Sequence, residues 1–128
     1  MADTEKITIN MGVVDLGQID LLVEQGFYSS RTDFIRAAIR RQLDMHGDEV
    51  KQSVTRRAFV IGVLSYSRQE LERRREKGEM LDVRVVGLVR LDSDITPDLA
   101  RSTIESLTIR GVLRAPDSVK TALADRIS

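Results

Sequence analysis

Three polar side chains near the N-terminus recur at every second position: Lys6, Thr8 and Asn10. Their hydrogen-bonding groups suit the edges of bases. A lysine can donate to guanine, an asparagine can pair with adenine, and a threonine can bond a base edge or contact a thymine methyl group. The same alternation is expected for the polar face of an ordinary edge strand in a small sheet. From these three residues alone the edge strand is the favoured interpretation, so the surrounding elements have to decide.

The residues between these polar positions are apolar, and together they predict a strand. Ile7, Ile9 and Met11 fall on the face opposite the three polar side chains. A lone strand this short cannot satisfy its own backbone donors and acceptors, and no second strand pattern occurs in the first fifty residues. The remaining partner is the same strand of another copy, which would give a two-stranded antiparallel ribbon across a twofold axis. We refer to residues 6–11 as the N-terminal strip.

Two amphipathic helices are predicted after the strip. The first covers residues 14–25 and is stopped by Gly26. The second begins after Ser30, a good N-cap with Asp33 three residues later, and runs to about Met45 with Gly47 as the breaker. Neither helix has anything to cover except the ribbon and its symmetry mate. The predicted dimer core therefore comprises Ile7, Ile9, Met11, Leu22, Phe34, Ile35 and Ile39.

The order and spacing of these elements resemble the ribbon-helix-helix superfamily of Arc, methionine-repressor and CopG-type regulators. Three segments carry the resemblance: Lys6–Met11 for the ribbon, Ile19–Leu22 inside the first helix, and Tyr28–Arg36 for the turn and the second helix start. It covers residues 5–45, about a third of the chain. Gly12-Val13 is a departure, because the family often has a proline followed by acidic residues there.

The resemblance implies an intertwined homodimer that binds double-stranded DNA sequence-specifically, with the paired strands in the major groove. It implies a transcriptional regulator, more often a repressor, without a cofactor. Lys6, Thr8 and Asn10 would contact bases, and Ser29, Ser30 and Arg31 would contact phosphates at the N-terminus of the second helix.

Charge and composition limit the possible functions. The chain of 128 residues has 20 basic and 20 acidic residues, and residues 1–47 hold five Lys or Arg against seven Asp or Glu. A single dimer would therefore have a small positive footprint, and several dimers are expected to bind together. The chain has no cysteine and one histidine, His46, so neither a zinc site nor a nickel-sensing cluster is predicted. We expect a cytoplasmic, nucleoid-associated protein that is not an enzyme, since no nucleophile–base pair, signal segment or membrane-spanning run is found.

The rest of the chain contains a glycine-centred pattern that occurs three times. Gly62, Gly87 and Gly111 each lie within a run of apolar residues, 25 and then 24 residues apart. Each run is followed by a helical pattern, beginning near Arg68, Pro97 and Pro116, and the last is predicted to continue to Ile127. Two interpretations remain open. One is a β–α repeat with parallel strands, and the other is a small α/β fold whose strands merely look alike and include a hairpin.

The predicted fold class is thus α+β, with three parts: a ribbon-helix-helix domain over residues 1–47, a connector or short helix over residues 48–57, and an α/β domain over residues 58–128. Exposed sheet edges suggest that this last domain joins dimers into tetramers or larger assemblies, and a sensing role for it stays open. Two alternatives to a regulator remain. One is an antitoxin-like autoregulator that binds a protein toxin, and the other is a protein that organises DNA or plasmids.

Overall fold

The computed structural model describes residues 3–128 and divides them into two compact units. The first unit, residues 4–53, contains helices α1 (Val13–Glu24) and α2 (Arg31–Met45), and helix α3 (Gly47–Arg56) crosses the division. The second unit, residues 54–128 with Asp3, alternates strands and helices. These are β1 (Val60–Tyr66), α4 (Arg68–Lys77), β2 (Leu81–Leu91), α5 (Pro97–Thr103), β3 (Ile104–Arg114) and α6 (Asp117–Ala122). The mixture of helices and strands confirms the α+β class.

Helices α1 and α2 are joined by a tight, hydrogen-bonded turn. Gly26 adopts a left-handed conformation with φ 85°, and its N–H donates to the Val23 carbonyl. The Phe27 N–H donates to the Leu22 carbonyl, which completes the paired bonds of a Schellman motif. A residue with a Cβ would be strained at that φ, so the glycine fixes where α1 ends. At the other end, Gly12 caps α1 without any side-chain hydrogen bond.

Gly47 was predicted to break the second helix, which implied a loop after it, but no loop begins there. Helix α2 ends at Met45, and the backbone leaves the helical conformation at His46, with φ −103° and ψ 17°. Helix α3 then begins at Gly47, and the Val50 N–H donates to the His46 carbonyl. The break therefore lies at a single residue between two helices.

The three strands form one parallel sheet in the order β1-β2-β3. The register places Gly62, Gly87 and Gly111 side by side across the sheet. No pair of these strands forms a hairpin, because a helix follows β1 and β2 before the chain returns to the sheet. Parallel neighbours require such a connection.

The helices of this unit pack on one face of the sheet. Leu71 of α4, Leu99 of α5 and Val119 of α6 are buried in the same cluster as alternate side chains of β2 and β3. Capping bonds set where two of these helices start: Ser67 and Glu70 form a capping box, and the Thr96 hydroxyl accepts from the Leu99 N–H at 3.2 Å. The cluster comprises Leu71, Val83, Val85, Val89, Leu91, Ile95, Leu99, Ala100, Ile104, Leu107, Val119 and Leu123.

The last helix is shorter than predicted, because the chain turns back to the sheet. Helix α6 ends at Ala122, and Ile127 forms a parallel bridge with Leu107. The Ser128 N–H donates to the Leu107 carbonyl at 2.8 Å, and the Ile109 N–H donates to the Ser128 carbonyl at 3.0 Å. Extended pairing thus satisfies backbone groups of β3 that a continued helix would have left unpaired. None of the helices in the described part of the chain is long and apolar enough to span a membrane.

Candidate nucleic-acid interface

The N-terminal strip precedes α1, and apart from half-buried Met11 both of its faces are exposed. Lys6, Thr8 and Asn10 are all exposed. On the alternate positions, Ile7 and Ile9 keep 74% and 64% of their surface accessible. Residues 3–12 form neither helix nor strand in the single chain. Strand structure is defined by hydrogen bonds to a neighbour, and the predicted neighbour is the strip of a second copy.

The start of α2 brings together the three residues predicted to contact phosphate. The Ser30 hydroxyl accepts a hydrogen bond from the Asp33 N–H at 3.0 Å and so caps the helix. The Asp33 carboxylate in turn accepts from the Ser29 N–H at 3.1 Å. The sequence pattern predicted a capping box, in which the Asp33 carboxylate would accept from the N–H of the cap residue Ser30. The carboxylate instead accepts from the N–H of Ser29, one residue earlier. Asp33 therefore uses a donor that the prediction assigned to DNA.

Arg31 at the same helix start is held by a carboxylate of α1. Its Nε and Nη2 atoms donate to the two carboxylate oxygens of Asp20, both at 2.7 Å. The hydrogen bond from Arg31 lowers the pKa of Asp20 below its usual value, and the same bond raises the pKa of Arg31. This bidentate pair ties α1 to α2 across eleven residues of sequence. Sequence reasoning missed it, although Asp20 lies within the segment that carries the family resemblance.

The aromatic residues of the turn support the same helix start. The rings of Tyr28 and Phe34 meet edge to face, with centroids 4.9 Å apart. Phe34 is half-buried, as are Leu22 and Ile35, while Ile39 is exposed. Ile19 is the one buried residue among residues 4–53, and it was absent from the predicted dimer core although it lies in the segment that carries the family resemblance. Its i, i+3 spacing to Leu22 was the signal that could have added it.

The remaining positive charge of this unit lies along α2 and α3. Arg36, Arg40 and Arg41 are exposed on α2, and Lys51 is exposed on α3. His46 lies 3.9 Å from the Glu49 carboxylate. Within residues 3–128 no group of three or more histidine or acidic side chains is placed to hold a metal ion.

Comparison with protein families matches residues 2–120 to the ribbon-helix-helix transcriptional regulator family. The matched range extends through the first compact unit and most of the second, so the sheet is part of the similarity. No curated protein and no solved structure matches the chain. Regulators of this kind bind DNA and act as dimers. With a match across most of its length, the chain belongs to the ribbon-helix-helix transcriptional regulator family.

Proposed function

We propose that the protein is a sequence-specific repressor that reads the major groove with a two-stranded ribbon, one N-terminal strip from each protomer of a dimer. The observation that carries this proposal is the strip itself. Lys6, Thr8 and Asn10 alternate with apolar residues and are all exposed, immediately before the two helices that the family uses to support a ribbon. In the ribbon, their side chains would lie together on one face and could reach base edges.

Exposed apolar surface in the first unit supports the dimer. In residues 4–53 Ile19 alone is buried, whereas Ile7, Ile9 and Ile39 are exposed. Covering a side chain of this size contributes roughly 1.5–3 kcal/mol. Each of these residues occurs once in each protomer, so the dimer would gain the contribution twice. The proposed dimer core is the predicted set, Ile7, Ile9, Met11, Leu22, Phe34, Ile35 and Ile39, with Ile19 beneath it.

The proposed phosphate contacts come from the start of α2. Ser29, Ser30 and Arg31 lie there together, and the first amides of a helix have no partner within the helix, so they suit an anion. Two carboxylates, Asp20 and Asp33, already bond to this group. A phosphate would have to share Arg31 with Asp20, so the phosphate contribution to affinity should be modest.

Weak contacts by one dimer make assembly of several dimers useful. The chain as a whole carries no net charge, and residues 1–47 are slightly acidic. We assign residues 1–47 to DNA reading and dimerisation, residues 48–57 to connection, and residues 58–128 to joining dimers on DNA. Higher-order assembly would raise the effective concentration of each dimer at its site.

A binding experiment on a selected operator tests the ribbon. The operator is obtained by selecting from a random double-stranded DNA library with the full chain, and affinity is measured by fluorescence anisotropy at several salt concentrations. Lys6→Ala should weaken operator binding by about 1–3 kcal/mol, relax the preference at one base position and reduce the salt slope. Lys51→Ala is the matched control, since Lys51 is an exposed lysine outside the strip. Unchanged affinity and slope for Lys6→Ala would show that the strip does not read DNA.

A DNA-organising role is the second candidate, favoured by the apolar strand at the edge of the sheet. Strand β1 is a sheet edge, and Val60, Ile61 and Val63 are exposed on it. Nuclease footprinting separates the two roles. A repressor should protect a compact operator, while an organising protein should protect DNA that spreads outward from the first site as protein is added.

A further inference from the structure

We propose that the free edge of β1 in one copy pairs, in parallel, with the open half of β3 in a second copy. The sheet would then continue from molecule to molecule with its glycines still in register. This inference rests on the proposed assembly of dimers and names the surfaces that make it. Three features of residues 54–128 support it.

The first feature is that β1 carries none of the devices that usually protect a sheet edge. Natural edges are shielded by charged side chains, proline, bulges or a covering segment. The strand reads Val60-Ile61-Gly62-Val63-Leu64-Ser65-Tyr66, without a charge or a proline. Among the described residues, only β2 pairs with it. Val60, Ile61 and Val63 are 52%, 61% and 46% exposed.

The second feature is the direction of the glycine ladder. A Cβ on Gly87 would overlap the carbonyl oxygen of Gly62, and a Cβ on Gly111 would overlap the carbonyl oxygen of Gly87. Each glycine thus makes room for the carbonyl of the strand before it. Gly62 has nearly the same φ, 142° against 141° and 138°, yet within residues 3–128 no heavy atom other than those of Gly62 and its two chain neighbours lies within 4 Å of its Cβ position.

The ladder also defines what would fit beside Gly62. The carbonyls of Gly62 and Gly87 are directed toward the next strand in the order β1-β2-β3. By the same conformation, the carbonyl of Gly111 is directed outward from the β3 edge. Gly111 of one copy therefore presents the group that Gly62 of another copy is shaped to accept.

The third feature is a match in length between the two edges. Residues 126–128 pair with β3 at Leu107 and Ile109, which covers the first half of that edge. Residues 110–113 lie beyond this cover. Through β2, the register aligns residues 61–64 of β1 with residues 110–113 of β3. The part of β3 beyond the cover is thus the part that β1 would need.

The side chains at the proposed joint are compatible with it. Continuing the register would place Val63 beside Val112 and Leu64 beside Leu113, both apolar pairs. Two β3 edges meeting antiparallel around Val112 would instead oppose Arg110 and Arg114, which is unfavourable. Two β1 edges meeting across a twofold axis would be antiparallel, and the parallel glycine geometry would be lost.

A contact between two different edges does not close on itself. Such a head-to-tail interface generates an open array, whereas the twofold contact of the ribbon forms a closed dimer. Combining both in one chain would link ribbon dimers into a row.

Cysteine cross-linking of the full chain tests the joint, since the natural sequence has no cysteine. Val63→Cys and Val112→Cys are prepared singly and as a double variant. Adjacent strands lie about 4.8 Å apart, within reach of a disulfide, while residues 63 and 112 of one chain are separated by β2 at about twice that distance. Under mild oxidation the double variant should give a covalent ladder beyond the dimer, and a mixture of the single variants should give a mixed disulfide.

The single variants alone test the competing arrangements. Homodimeric disulfides in Val63→Cys alone would show β1–β1 pairing, and in Val112→Cys alone β3–β3 pairing; either result overturns the proposal. Absence of cross-links in every variant, with light scattering giving no species larger than a dimer, overturns it as well.

A charge substitution distinguishes the strand edge from the sheet face opposite the helices. Val63→Lys on the edge should reduce the mass measured by light scattering to that of a dimer, while Val86→Lys on the central strand should leave larger species intact. Equal dissociation by both variants would assign the contact to the face and overturn the edge joint. Binding of Val63→Lys to DNA with a single operator is measured in parallel. If this variant loses assembly but still binds the operator, the repressor proposal stands independently of the edge joint.

Discussion

Replacing Gly87 with alanine should destabilise residues 54–128 far more than the same replacement at Gly62, although the two glycines share one backbone conformation. Their φ values are 141° and 142°. A residue with a Cβ in that conformation costs about 1–3 kcal/mol of strain at either position. Only at Gly87 does the new methyl group meet a neighbour, because it would overlap the Gly62 carbonyl oxygen and lie 3.0 Å from the carbonyl carbon.

The overlap at Gly87 cannot be relieved by rotating a side chain. The oxygen belongs to the backbone of β1, which is paired with β2 from Val60 to Tyr66. Relief therefore requires moving the two strands apart. Overpacking of this kind costs about 1–3 kcal/mol, and separating the strands adds to that cost. A difference of about 2 kcal/mol between the variants corresponds to roughly 8–16 °C in Tm for a domain of this size.

The comparison is made in the Val63→Lys background, so that association between copies does not add stability to one variant and not the other. Thermal unfolding is followed by circular dichroism, and hydrogen exchange with mass spectrometry assigns the loss to β2 peptides. Equal losses for the two alanine variants would refute the close approach of β1 and β2 at the glycines. So would a Gly87→Ala protein as stable as its parent.

Three further outcomes are expected. Ser30→Ala should lower the free energy of unfolding of residues 4–53 by about 1 kcal/mol in urea titrations, because the cap to the Asp33 N–H is lost, whereas Ser29→Ala should not, since Ser29 contributes its backbone N–H. Stability should fall in acid. The hydrogen bond from Arg31 lowers the pKa of Asp20, and the bond from Arg101 lowers the pKa of Asp125, so both charged carboxylates stabilise the fold above the usual pKa of 3.8. This stabilisation is lost as the pH falls through the folded-state pKa values. Urea midpoints between pH 5 and pH 2 measure this loss, and Asp20→Asn should show a smaller one (a slope equal to that of the parent would contradict the role of the pair). DNA with two adjacent operators should bind the parent about 10²–10⁴-fold more tightly than Val63→Lys, while DNA with one operator should bind both equally; equal binding to both DNAs would exclude cooperation through β1.

Local signals in the sequence predicted the ends of most helices. The starts of α4 near Arg68 and of α5 near Pro97, the stop at the left-handed Gly26 and the end of α2 at Met45 each depend on residues within one or two turns of each other. Such signals are readable because the physical cause and its effect lie close together in the chain. The prediction that the last helix continues to Ile127 was wrong because the deciding contact is not local. The apolar spacing of Ile127 suited a helix, but its partner is Leu107 in a distant strand.

Contacts that depend on how the turn between the helices folds account for what the sequence did not predict in the candidate site. The bond from Arg31 to Asp20 joins two helices, and nothing in the spacing of either helix requires it. Asp33 bonding to the Ser29 amide likewise depends on how the turn folds. These two carboxylates weaken the predicted phosphate site, since two of its donors, the Ser29 N–H and the Arg31 guanidinium, already have acceptors within the protein.

The carboxylates of Asp20 and Asp33 also give a reason for assembly of dimers through the sheet. In the proposed ribbon, phosphate contacts would compete with Asp20 and Asp33. The ribbon would therefore gain specificity from base contacts and little affinity from charge, because non-specific binding to DNA is mainly electrostatic. Such a dimer would leave ordinary DNA easily and would need neighbours to stay at an operator. A sheet edge without charge or proline, beside a glycine shaped for another strand, would provide neighbours without adding any positive charge. The near-neutral composition of the chain is then consistent with a DNA-binding protein that depends on several bound dimers rather than on tight binding by a single dimer.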